Sequence, residues 1–149
     1  METTIDTAAV PALGSSPTAL RSLPPSRARL WTGRVLTGLP ALFMAWGGVM
    51  SLARHPQAVE GAAQMGFSPG SLAPVAIIQL AAVACLALRR TAPFGALLLT
   101  GYLGGAVCVH VRHGDPLSAV LLPVIFCTLI WLGVYLRDER VRALSPFAR

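Results

Sequence analysis

The sequence has no lysine and only six acidic residues, and all twelve of its basic residues are arginine. Without lysine there is no phosphate-cradling Gly-Lys-Ser/Thr loop. With acids this sparse there is neither a pair of carboxylates spaced for acid–base work nor a ladder of buried acids to carry protons. His-Glu-x-x-His and Gly-x-Ser-x-Gly are absent too, so no motif makes the chain an enzyme on its own and no catalytic residue is assigned. The three cysteines, Cys85, Cys108 and Cys127, form no Cys-x-x-Cys pair. Set on helices at 1.5 Å per residue, they lie at depths of about 6, about 25 and about 15 Å from one edge, too far apart to share a metal ion. Aromatic residues are few, at 7%, and are not interleaved with the arginines. The net charge of +6 is therefore read as a membrane-topology signal and not as a nucleic-acid surface.

What the chain does have is apolar sequence in blocks. With 54% hydrophobic and 12% charged residues, 149 residues fit one small membrane domain better than a soluble one, which needs more polar surface. Four runs stand out, at 31–53, 71–88, 92–111 and 116–136, each near the roughly 20 residues that span a bilayer core as helix. The expected fold is all-α: an up-and-down transmembrane bundle of four helices over 30–144, with a disordered tail at 1–29 and a short tail at 145–149. The early segment has prolines, serines and threonines but no apolar block, and so lacks the features of a cleavable signal.

The first span has Pro40 in its first half, where it should bend the helix, and Trp46 near the middle, followed by Gly47 and Gly48. The connector 54–70 reads either as an irregular link or as a short interfacial helix started by Pro56 and capped by Gly66. In the helical reading, Val59, Ala62, Ala63 and Phe67 lie on the membrane and Gln57 and Glu60 face water. Short links make the second and third spans, and the third and fourth, antiparallel neighbours. Asp115 is placed to cap the fourth span, with Pro116 in its first turn, Pro123 as a kink, and Trp131 and Tyr135 as interfacial anchors. Arginines 21, 27, 29, 34, 89, 90, 137, 140, 142 and 149 fall on one side, against Arg54 and Arg112 on the other. That asymmetry predicts that the N- and C-termini both lie on the cytoplasmic side of the membrane.

The organising stretch is 91–115, TAPFGALLLTGYLGGAVCVHVRHGD. At about 100° per residue, Gly101, Gly104, Gly105, Cys108 and Arg112 share one side, and Tyr102, Ala106, His110 and His113 the other. Gly101 and Gly105 form a small-xxx-small pair, expected together with Gly104 to pack helices within the chain or between copies of it. Thr100-Gly101-Tyr102-Leu103-Gly104-Gly105-Ala106, followed by His110, Arg112 and Gly114-Asp115-Pro116, resembles the third-helix signature of the DoxX-like family of small four-helix bacterial membrane proteins. Gly48-Val49-Met50 adds to a resemblance that covers about 33–144. Members of the wider group are associated with quinone-linked thiosulfate oxidation, terminal oxidase and membrane redox-stress complexes. The resemblance therefore implies an accessory role beside a membrane redox partner, with quinone as the cofactor that setting points to. In the wider pattern a lysine and an acid tend to stand where this chain has Ser51 and Gln79, which removes an obvious proton or ion-pair role.

Counting inward from the arginines puts Trp46, Gln79, Thr100, Tyr102 and Thr128 near mid-membrane on four helices. Polar groups there need partners, so they are expected to turn inward. They form either a dry clasp or the polar end of a pocket for a quinone or lipid chain, lined by Trp46, Gln79, Thr100, Tyr102 and His110. Tyr102 and His110, two turns apart on one face, would bond the oxygens of the ligand. Arg112, His113 and Asp115 form an interfacial group with His110 at the end of the third span, where the helix dipole favours cations. A small transporter or exporter, or a scaffold for other membrane proteins, is the competing reading.

Overall fold

The computed structural model describes residues 27–143. The tail at 145–149, and the part of the N-terminal tail before Arg27, lie outside the described residues. The fold is all-α, in six helices: α1 Arg27–Leu52, α2 Pro56–Gln64, α3 Leu72–Ala87, α4 Ala92–His113, α5 Leu117–Arg137 and α6 Glu139–Ala143. Helix α1 thus begins at Arg27, within the segment read as tail.

Three of these helices, α1, α4 and α5, are long and apolar enough to cross a membrane. Helix α3 is apolar but shorter, at 16 residues, because Leu88 turns extended at its end and Ser71 stands before its first turn. In a bilayer interior the backbone has no water to bond, so a run of this composition satisfies itself as helix. The outward faces carry the large side chains: Leu39, Leu42, Trp46, Ile78, Leu97 and Leu117 are all more than half exposed. So much apolar surface fits a lipid environment.

Helix ends are closed by backbone. Beyond α1, α2 and α4 the chain passes through a left-handed residue, Arg54 (φ 52°), Gly66 (φ 81°) and Gly114 (φ 78°). At each, the next amide reaches back to a last-turn carbonyl: His55 to Met50 at 3.0 Å, Phe67 to Ala62 at 2.9 Å and Asp115 to His110 at 3.1 Å. This is the Schellman closure, which glycine enters without steric cost and arginine does not. The helical reading of 54–70 is therefore the one realised, with Pro56 in the first turn and Gly66 at the end.

Helices α1, α3, α4 and α5 form a ring in which each packs on its chain neighbours and α5 returns against α1. At the end rich in arginine the backbones nearly touch. A Cβ at Gly33 would stand 2.9 Å from the Gly133 carbonyl oxygen, and one at Gly133 would stand 2.7 Å from that of Gly33. A Cβ at Gly95 would overlap the backbone of Leu86, so α3 and α4 meet there with no side chain between them. The C-terminal carbonyls of α3 are taken up by side chains: the Thr91 hydroxyl donates to Cys85 at 2.8 Å and the Arg137 guanidinium to Leu86 at 2.9 Å. Met44, Ala82, Leu86, Ala96, Leu99, Leu103, Ile130 and Val134 form the core of this half. Both Pro40 and Pro123 are buried inside continuous helices.

Candidate ligand cleft

Toward the opposite end, where the histidines stand, the ring opens. Between the end of α1, the start of α3 and the second half of α4 lies a cleft of about 530 Å³, roofed by α2. Its volume falls within the range of small-molecule sites. Helix α2 covers it with Ala58, Gly61, Ala62 and Met65, spaced as one helical face. Val75 of α3 and Ala106 and Val109 of α4 supply the apolar walls. Gly101 and Gly105 also line the cleft, and added Cβ atoms there would meet nothing within 4 Å. Their missing side chains leave a slot against the α4 backbone.

The deep wall is polar. Gln79, buried on α3, donates from Nε2 to the Met44 carbonyl oxygen of α1 at 2.8 Å. Its Oε1 accepts from the Tyr102 hydroxyl of α4, also at 2.8 Å. One side chain thereby ties three helices together, and the tie sits on the cleft wall. Along α3 and α4 the tie is followed toward the arginine end by the buried core residues Ala82, Leu86, Leu99 and Ala96.

His110 lines the cleft nearer its mouth. Its Nδ1 lies 2.6 Å from Asp115 Oδ2, and His113 Nδ1 lies 2.8 Å from Asp115 Oδ1. The left-handed turn at Gly114 folds the carboxylate back over the last turn of α4, where both imidazoles reach it. Hydrogen bonds from His110 and then His113 hold the Asp115 carboxyl below its ordinary range, and their charges act in the same direction.

Of the residues expected to line a pocket, the structure brings together Gln79, Tyr102 and His110 and leaves out Trp46 and Thr100. Trp46 is 65% exposed, on the outward face of α1. An indole satisfied by packing against lipid has no need of the interior. Thr100 belongs to a separate group: its hydroxyl accepts from Trp131 Nε1 at 2.8 Å, lies 3.6 Å from Cys127 Sγ, and donates to the Ala96 carbonyl at 2.8 Å. Trp131 is consequently a strut between α4 and α5 rather than an interfacial anchor. Thr128 is exposed and donates to Val124 of its own helix.

Three further expectations change. Gly101, Gly104 and Gly105 pack no helix within the chain; the glycines that do so are Gly33, Gly95 and Gly133, with Gly48 against Leu80. Asp115 does not cap α5, which starts after Pro116 with no side-chain cap, because its carboxylate is occupied by the two histidines. Ala62 and Phe67, expected on the membrane, line the cleft, and Gln57, expected to face water, is exposed and lines it too. Arg112 is exposed, as an interfacial residue is expected to be. Sequence reasoning missed the role of α2 as a roof, although Ala58, Gly61, Ala62 and Met65 form a readable stripe.

Among the described residues no cluster of histidine, cysteine and acid is arranged to hold a metal ion. The sequence model of one protein family, described as the DoxX-like family, matches residues 35–133. No curated protein and no solved structure matches the chain.

Proposed function

The chain belongs to the DoxX-like family, and from that premise and the cleft we propose that it binds a lipid-phase small molecule of the quinone class as an accessory, non-catalytic component of a membrane redox system. The observation that carries this reading is the Gln79–Tyr102 pair with His110 on the wall of a largely apolar cleft. A ring with oxygen substituents and an apolar tail matches such a wall, since the few polar groups orient it and the rest takes up its body. In the same reading α3 crosses the bilayer with its three longer neighbours, and the cleft opens near the outer surface of a bacterial inner membrane. Both termini are cytoplasmic, on the side of the ten arginines. A redox partner or a second copy has the exposed side of α4 at Gly104 available. A transporter reading ranks behind because the residues beyond the cleft toward the arginine end are buried and apolar, whereas transport needs a continuous polar path.

The test is extraction of protein purified in mild detergent, followed by mass spectrometry of what it retained. A quinone or its quinol held near one per chain, with the total retained falling several-fold in Tyr102→Phe, is the expected result. No quinone above detergent background, even from quinone-rich membranes, would overturn the reading.

A further inference from the structure

The Tyr102 hydroxyl on the deep side of the cleft has a property that the cleft's shape does not reveal: its proton is committed elsewhere. The Met44 carbonyl only accepts, so the Gln79 group 2.8 Å from it is the amide nitrogen. Oε1 then faces α4, and the Tyr102 hydroxyl 2.8 Å away has to donate to it. Reversing the amide would set two oxygens without a proton against each other at Met44. The amide nitrogen is also turned toward α1, where a Cβ at Gly47 would meet it at 3.8 Å. What Tyr102 has left for the cleft is a lone pair.

Other polar groups along the wall are engaged as well. Asp115, as a carboxylate, accepts from Nδ1 of both His110 and His113. Nδ1 of His110 is thereby engaged, and its Nε2 donates when the ring is protonated and accepts when it is neutral. Ser71 spends its hydroxyl proton on the Ser68 carbonyl at 2.7 Å. Ser51 and Gln57, at the end of α1 and on the roof, can donate as well as accept, so the polarity of the cleft has a direction. Its mouth donates and accepts, and in its depth the Tyr102 hydroxyl accepts.

We infer that the cleft selects the reduced, dihydroxy form of a lipophilic quinone over the oxidised form, because Tyr102 meets the ligand as a hydrogen-bond acceptor. The inference rests on the ligand class proposed above. A quinone carbonyl against Tyr102 sets lone pair against lone pair, while a quinol hydroxyl supplies the missing proton. In a site of low dielectric such a mismatch is not repaid by water. A lipid headgroup hydroxyl offers the same donor. The flat slot left by Gly101 and Gly105 fits a planar ring better than a branched headgroup.

Duroquinol and duroquinone share one skeleton and differ in two hydrogens, so equilibrium dialysis of each against the full chain in nanodiscs, under anaerobic conditions, isolates the effect. The expected result is tighter binding of duroquinol by about tenfold, the ratio that one retained hydrogen bond gives. Gln79→Leu frees the Tyr102 proton for the ligand, and Tyr102→Phe removes the acceptor. The first is expected to move the preference toward duroquinone and the second to abolish it, and Tyr102→Phe leaves the Gln79 bond to Met44 in place should the Gln79 variant fail to fold. Equal binding of the two forms, or tighter duroquinone, overturns the inference and leaves the quinone reading standing. Binding of neither form removes the quinone reading itself. Displacement of duroquinol by equimolar diacylglycerol would assign the hydroxyl to a lipid and overturn the choice of a diphenol.

Discussion

The two halves of this bundle are built from the same residue types to opposite ends. At the arginine end, glycines bring backbones into contact: Gly33 meets Gly133 and Gly95 meets Leu86. At the histidine end, Gly101 and Gly105 on the same helix as Gly95 meet nothing, and the space becomes a cleft. A glycine on a transmembrane helix thus has no fixed meaning. What stands opposite decides whether its missing side chain lets helices close or lets a ligand in.

The sharpest way to break this comparison is to add a methyl group in each half. Gly95→Ala and Gly133→Ala drive a Cβ into backbone, which cannot move aside as a side-chain tip can. Each is expected to cost about 3 kcal/mol or more, or to abolish folding, by the measure of severe overpacking. Gly101→Ala and Gly105→Ala should leave stability unchanged or raise it by up to about 1 kcal/mol, since they replace glycine inside a helix. Denaturation in mixed detergent micelles reads both; equal losses in the two halves would erase the distinction. The glycine variants of the histidine half should nevertheless weaken ligand retention, because they fill the slot.

Gln79 sits at the seam between the halves. Gln79→Leu leaves the Tyr102 hydroxyl without its acceptor, at a cost of about 1–2 kcal/mol in the same unfolding measurement. Tyr102→Phe should cost less, because Gln79 keeps its bond to Met44. If Tyr102→Phe were the more damaging of the two, the tie would run through α4 rather than through α3.

Smaller effects belong to the histidine end alone. Arg54 holds a left-handed conformation that an L side chain enters at about 1 kcal/mol, so Arg54→Gly is expected to stabilise by up to that amount. Asp115 has its folded-state acidity strengthened by the two histidines. A carboxyl of lowered pKa contributes stability that is complete above its unfolded value, about 3.9, and is lost as pH falls through the folded value. The turn between α4 and α5 should therefore loosen in acid, with hydrogen exchange of its amides rising below about pH 4. Asp115→Asn should lack that step.

Much of the fold was legible in order of sequence. Apolar runs, Pro56 and Gly66 around a short helix, and links too short for anything but antiparallel neighbours all have local causes, and local causes are written in consecutive residues. The site was legible only in part. Tyr102 and His110 share a face at helical spacing, and Gln79 is the strongly polar side chain of its run, so all three could be marked. Depth alone could not separate them from Trp46, Thr100 and Thr128, which lie in the same layer but point outward or toward α5.

The residue order by itself determined that this chain forms apolar helices, where they stop, and that adjacent ones run in opposite directions, because periodicity, capping and link length act within a few residues. Which glycines touch backbone and which open a cleft was decided only when the ring closed. So were the partner that takes the proton of Tyr102 and the turning of Asp115 from α5 to the histidines. Each depends on the rotation of one helix about its axis against another, and that rotation is set by packing between segments far apart in the chain.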